Sequence, residues 1–162
     1  MTVELERMGR CARLAWEHGV TEYRSSSGSR PGVTTGHILL GVLREETCAG
    51  GLILARLQLD LLWARRVTEF VLLHSRRQDD AEVCTAWGDV PHTAAAMRVV
   101  ELSLEEANRY SGTYPIGTEH LLLALLQVPE GMGYGLLHYF GLDVHRVRAA
   151  RDTLWELLRS PE

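Results

Sequence analysis

The sequence predicts an all-α protein built of two tandem four-helix repeats packed with pseudo-twofold symmetry. Three observations carry this prediction: apolar residues recur at helical spacing, strand-like alternation is nearly absent, and the chain repeats itself at an offset of 83 residues. His37-Ile38-Leu39-Leu40-Gly41-Val42-Leu43 lines up with His120-Leu121-Leu122-Leu123-Ala124-Leu125-Leu126, and Leu57-Gln58-Leu59-Asp60 with Phe140-Gly141-Leu142-Asp143.

The expected organisation is one double-repeat domain over residues 1–162, with repeat 1 at about 3–75, a linker at about 76–91 and repeat 2 at about 92–159. In the first helix, Leu14-Ala15-Trp16-Glu17 pairs with Leu102-Ser103-Leu104-Glu105 only if repeat 1 carries a few extra residues. The run Ser25-Ser26-Ser27-Gly28-Ser29-Arg30-Pro31-Gly32 supplies them as a loop; it holds no Gly-x-Ser-x-Gly nucleophile motif. The central helix starts near His37 and His120. Gly50-Gly51 and Gly131-Met132-Gly133-Tyr134-Gly135 then separate it from a short third helix. Asp60 and Asp143 each precede an apolar-periodic run and fit N-caps of the fourth helix. Arg76-Arg77-Gln78-Asp79-Asp80 and Gly88-Asp89-Val90-Pro91 read as a polar, turn-rich connection that Val83 and Trp87 pack against the domain. Trp16, Trp63 and Trp155 fall in apolar-periodic stretches and read as packing residues; exposure of one of them would mark a partner surface.

Composition narrows the function. All 17 basic residues are arginine, so lysine-dependent phosphate loops and Schiff-base chemistry are excluded and no nucleotide or other cofactor is expected. A net charge of −4 gives no field that would draw the chain onto nucleic acid. Arg146, Arg148 and Arg151, with Arg65 and Arg66, read as solvated helix faces with acidic residues close by. Cys11, Cys48 and Cys84 are widely spaced and odd in number, which reads as reduced packing cysteines without a disulfide framework or zinc site. No apolar run is long enough to span a membrane and the start lacks a secretion signal, so the expected location is the cytoplasm. His37 and His120 recur at one structural position with no further ligand at i+3 or i+4, which argues against a metal site.

The segment Ile116-Gly117-Thr118-Glu119-His120-Leu121-Leu122-Leu123 resembles the central motif of the Clp N-terminal repeat, and Val99-Val100-Glu101-Leu102-Ser103-Leu104-Glu105-Glu106-Ala107 resembles the first helix of the second repeat in ClpC-type proteins. The resemblance runs from about Leu5 to Leu158. It implies a non-enzymatic module that recognises proteins, peptides or degradation tags and acts with, or in competition with, a Clp ATPase, as adaptor or as ligand-sequestering protein. The implied partners are a Clp ATPase, adaptor or client proteins, phosphoarginine-marked proteins and cyclic peptides.

In that family the glutamate of the motif binds the guanidinium of phosphoarginine, a role that fits a carboxylate able to accept two parallel hydrogen bonds. By resemblance the ligand-binding residues are Glu119, Thr118 and His120 in repeat 2, with Thr35 and His37 in repeat 1. Gly36 stands where repeat 1 should carry its glutamate, so at most one of the two sites is kept. The residues alone offer another reading of the motif: Thr118 caps a helix beginning at Glu119, Gly117 lets the backbone turn into it, and Glu119 sits at the positive end of the helix dipole. The aromatic-threonine signature that opens each family repeat is replaced by His92-Thr93 in repeat 2 and by Glu4-Leu5 in repeat 1.

Two functions of other classes compete. A small hydrolase would use Glu119 and His120 as an acid/base pair, although neighbours on a helix point roughly 100° apart. A purely structural dimerisation domain would self-associate without ligand.

Overall fold

The computed structural model describes residues 6–26, 31–75, 84–109 and 115–160. The described residues form eight helices and one small hairpin. Repeat 1 contributes α1 (Arg10–Ser25), α2 (Thr35–Arg44), α3 (Ala49–Arg56) and α4 (Leu61–His74). The hairpin β1 (Cys84–Trp87) and β2 (Val90–Thr93) follows. Repeat 2 contributes α5 (Ala94–Asn108), α6 (Thr118–Leu125), α7 (Met132–Tyr139) and α8 (Val144–Arg159).

Helices α2 and α6 are the axis of the molecule. Every residue of α6, and every residue of α2 from Thr35 to Leu43, is buried. The only charged side chain enclosed within these two stretches is Glu119. Each central helix packs against the first helix of its own repeat and against the short helix of the other: α3 lies on α6, and α7 on α2. A single apolar cluster running from Met8 to Ala150 therefore serves both halves.

The symmetry is visible in hydrogen bonds that cross between the halves. Gly9 N–H donates to the Ile116 carbonyl at 2.9 Å and Ile116 N–H to Arg7 at 2.7 Å; Thr93 N–H donates to Val33 at 3.0 Å and Val33 N–H to Pro91 at 2.8 Å. The strand-like segment before each first helix thus pairs with the segment before the other repeat's central helix.

Several sequence expectations change here. The first helices begin at Arg10 and Ala94, 84 residues apart, and end at Ser25 and Asn108, 83 apart. Leu14 and Leu102, 88 apart, are therefore not counterparts, and no extra residues between the first and second helices of repeat 1 are needed. The counterpart of His92-Thr93 is Met8-Gly9; Glu4-Leu5 lies outside the described residues.

The connection expected to be only turn-rich contains the hairpin, closed by Gly88-Asp89 with Gly88 at φ +65°, a conformation glycine adopts without steric cost. Trp87 folds from it onto Trp16 at 4.7 Å between ring centroids. Residues 76–83, with Val83, lie outside the described residues, as do Ser27 to Arg30.

Cys11 and Cys48 form a disulfide rather than two free thiols. Sequence spacing missed it because the pairing joins the first turn of α1 to the residue before α3, elements that meet only in the folded repeat. Asp60 and Asp143 are N-caps as expected, accepting from Trp63 N–H at 3.0 Å and Arg146 N–H at 2.9 Å.

Candidate functional site

Four of the five candidate residues are consumed by the fold. The helix expected to start at Glu119 starts one residue earlier, at Thr118, with Gly117 as its N-cap. Thr118 does not cap its own helix. Its Oγ1 accepts the Gly50 N–H at 2.8 Å, and in mirror fashion Thr35 Oγ1 accepts the Gly133 N–H at 2.9 Å. Gly50 and Gly133 each lie in the first turn of the short helix of the opposite repeat, so each threonine satisfies a donor that this helix cannot satisfy itself.

The two histidines are caps as well. His120 Nδ1 accepts the Gly117 N–H at 2.9 Å, and His37 Nδ1 accepts the Thr34 N–H at 3.0 Å. An N3 side chain reaching back to the N-cap amide is normally glutamate or glutamine; here an unprotonated imidazole does the same. Burial, foremost, holds His120 below the ordinary histidine value; Arg151 pushes the same way, while the carboxylates of Glu119 and Glu106 partly offset them.

Glu119 is different. It occupies the second helical position, beside the positive end of the α6 dipole as expected, and it is 8% exposed. Its carboxylate accepts no hydrogen bond from the described residues; the nearest partner is the His120 ring, with Nδ1 3.8 Å from Oε1. The side chain folds back over Gly117, where a Cβ would come within 2.7 Å of the carboxyl carbon, so a side chain at 117 would push the carboxylate aside.

In repeat 1 the corresponding space is filled. A Cβ on Gly36 would meet Met132 Sδ at 2.7 Å and Leu72 Cδ2 at 3.0 Å. Next to this plug lies a recess of about 390 Å3 between the end of α4 and the start of α7, lined by Val71, Gly131, Met132 and Leu136 with Glu130 as its charged group. A second recess of about 310 Å3 lies along α1 between Met8, Arg13 and Glu17. Glu119 lines neither. Among the described residues no group of histidine, cysteine and carboxylate side chains could hold a metal ion.

Three features escaped the sequence reading. Arg148 and Arg151 are not on a solvated face: Arg148 donates to the buried Glu106 at 2.6 Å, which also accepts from Gln127 at 2.8 Å, and Arg151 is itself buried. Arg65 pairs with Glu46. Trp63, expected as a core or inter-helix packing residue, is 43% exposed and sits with Tyr139 and Phe140 in an aromatic cluster at ring-centroid distances of 6.1 and 5.2 Å. Leu62, Phe70 and Leu73 extend this exposed apolar surface along α4. Helical periodicity finds apolar residues but not which side of a helix the rest of the fold covers. Trp16, by contrast, is buried and stacks on His92 at 5.0 Å.

Comparison with known proteins agrees with this geometry. Residues 91–160 match the family described as Clp repeat (R) N-terminal domain. The chain is 38% identical over 116 residues to the ATP-dependent Clp protease ATP-binding subunit ClpA homolog of Guillardia theta, covering 72% of this chain and 13% of that protein. It thus spans about an eighth of that relative's length.

The N-terminal domain of the chaperone ClpD from Arabidopsis thaliana superposes with a TM-score of 0.67 at 23% identity, covering 94% of this chain and 96% of that one. The Hsp104 N-terminal domain from Candida albicans gives 0.69 at 13% identity, covering 91% and 90%. Both likenesses concern the fold. No helix among the described residues is long and apolar enough to cross a membrane. With the matched family segment, the ClpA relative and a shared fold over both repeats, residues 91–160 belong to the Clp repeat (R) N-terminal domain family and the chain as a whole has the fold of a Clp N-terminal domain.

Proposed function

We propose that this domain is a non-enzymatic recognition module that takes a guanidinium-bearing ligand, such as a phosphoarginine-marked peptide, at Glu119. One observation carries the reading. Of the five candidate residues, Thr35 and Thr118 have their hydroxyls and His37 and His120 their Nδ1 atoms engaged in the fold, whereas the Glu119 carboxylate, at a helix start, accepts no hydrogen bond from the described residues. A carboxylate can accept two parallel hydrogen bonds from the planar fork of a guanidinium. The hydrolase reading loses support from the same geometry, because the His120 nitrogen facing Glu119 is held by the Gly117 amide.

The exposed Leu62, Trp63, Phe70 and Leu73 on α4 add a surface suited to an apolar stretch of a protein partner. Delivery to a Clp ATPase and sequestration of ligands remain two roles for one module; co-purification with a Clp ATPase assigns delivery, and with clients alone sequestration.

Calorimetric titration with a phosphoarginine-like ligand tests the site. The wild type binds one equivalent, and Glu119→Ala lowers affinity by about tenfold or more, since a charge-assisted hydrogen bond contributes ~1.5–3 kcal/mol. Two equivalents bound, or a Glu119→Ala variant that binds as well as the wild type, refutes the assignment.

A further inference from the structure

The two helices joined by the Cys11–Cys48 disulfide are also the two that hold the helix start bearing Glu119. Segment 116–118 is gripped from two sides. Gly9, two residues before Cys11, donates its N–H to the Ile116 carbonyl at 2.9 Å, and Ile116 returns one to Arg7 at 2.7 Å. Gly50, two residues after Cys48, donates its N–H to Thr118 Oγ1 at 2.8 Å. The bond therefore fixes the spacing between the two grips.

Repeat 2 provides the internal contrast. There Thr93, the counterpart of Gly9, donates its hydroxyl to the Val33 carbonyl at 3.3 Å and also caps α5 by accepting from Ala96 N–H at 3.2 Å. Gly9 has no hydroxyl with which to do either. Cys48, the N-cap of α3, makes no side-chain capping bond to its helix, and neither does its counterpart Gly131. The disulfide stands where repeat 1 lacks the two bonds that Thr93 makes, and the positions matching Cys11 and Cys48 in repeat 2 are Ala95 and Gly131.

We propose that Cys11–Cys48 is a thiol-sensitive clamp: oxidised, it holds the 116–119 helix start in place; reduced by a dithiol, it lets the α3 N-terminus move and loosens that start. In the exchange, a reductant thiolate attacks the Cys11 sulfur and Cys48 leaves as a thiolate that takes up a proton. The second reductant thiol then displaces Cys11, so two electrons pass to the protein and the reductant becomes a disulfide. Attack falls on Cys11 because it is half-buried whereas Cys48 is buried. The Cys48 sulfur lies 3.8 Å from Glu45 Oε2, so the new thiol finds an acceptor there. Only the effect on ligand binding rests on the assignment of Glu119 above; the clamp itself does not.

Two measurements test it. Protein isolated without reductant is alkylated with iodoacetamide in denaturant, reduced, and labelled again with N-ethylmaleimide. Mass spectrometry should find the second label on Cys11 and Cys48 and the first on Cys84; the first label on all three overturns the proposal. Amide hydrogen exchange is then compared between oxidised protein, protein reduced with dithiothreitol, and the Cys11→Ser/Cys48→Ser double variant. Exchange at residues 116–121 and 49–52 should rise severalfold in both reduced and double-variant protein, while the equivalent stretch 33–38 stays unchanged.

No rise at 116–121, or an equal rise in both repeats, overturns the clamp. Titration with phosphoarginine separates the two readings: binding weakened severalfold by reduction joins them. Absence of binding in every form removes the Glu119 assignment and leaves the exchange result to decide the clamp.

Discussion

Thr118 and Thr35 each hold a buried amide of the opposite repeat, and that role makes them sensitive to the loss of one oxygen. Thr118→Val keeps the shape but leaves the Gly50 N–H without its acceptor. An unsatisfied buried donor costs about 1–3 kcal/mol, so denaturant unfolding should show a loss of that size, with Thr118→Ser recovering most of it. A merely ligand-binding threonine would leave stability unmoved.

The buried histidines add a pH dependence. His120 and His92 are both held below the ordinary value of 6.5, chiefly by burial, so the folded state favours the neutral rings. Below pH 6.5 the unfolded chain binds more protons than the folded one. The stabilisation is therefore complete above that pH and declines as pH falls toward the lowered folded values. His120→Gln retains a side chain able to reach back to the Gly117 amide and removes the titration. Melting curves between pH 7 and pH 5 should accordingly be flatter for this variant than for the wild type; an unchanged slope would mean that His120 takes up its proton equally in the folded and unfolded states.

At the scale of elements, the eight helices were legible because each has its own signal: the Asp60 and Asp143 caps, the paired central helices with one constant offset, and the glycine-marked short helices. What one element does to another was not. The hydroxyls of Thr35 and Thr118 are ordinary helix-start residues in sequence, and only the crossing of α3 on α6 and of α7 on α2 turns them outward from their own helices. The disulfide and the plug at Gly36 are hidden for the same reason. A glutamate at position 36 looks like a restored site in sequence, yet the space is occupied by Met132 and Leu72. Gly36→Glu should destabilise rather than create a second site. Overpacking of this kind costs about 1–3 kcal/mol, and calorimetric stoichiometry should stay at one. A second equivalent bound by a stably folded Gly36→Glu variant would show that α4 and α7 yield more readily than their packing indicates.

For the molecule as a whole, the reciprocity of the contacts bears on how it folds. The disulfide lies within repeat 1 and makes no covalent link to repeat 2. Between the halves stand the shared apolar cluster, four backbone hydrogen bonds and the two threonine caps. Separated repeats would each expose the faces of α2 or α6 that the other covers and would leave Gly50 or Gly133 without its acceptor. A unit of about half the chain buries a small fraction of its surface and has little stability of its own. Two fragments, residues 1–80 and 84–162, should therefore each show reduced helicity and broad melting when alone. Mixed in equal amounts they should regain the helical signal and a single sharp transition, since the hydrogen bonds that join the halves need no chain connection between them. Gly50→Pro in the first fragment removes the amide that Thr118 accepts and should impair this complementation more than it alters the fragment by itself. A repeat 2 fragment that melts as sharply alone as in the mixture would show instead that the two halves are independent units resting against one another.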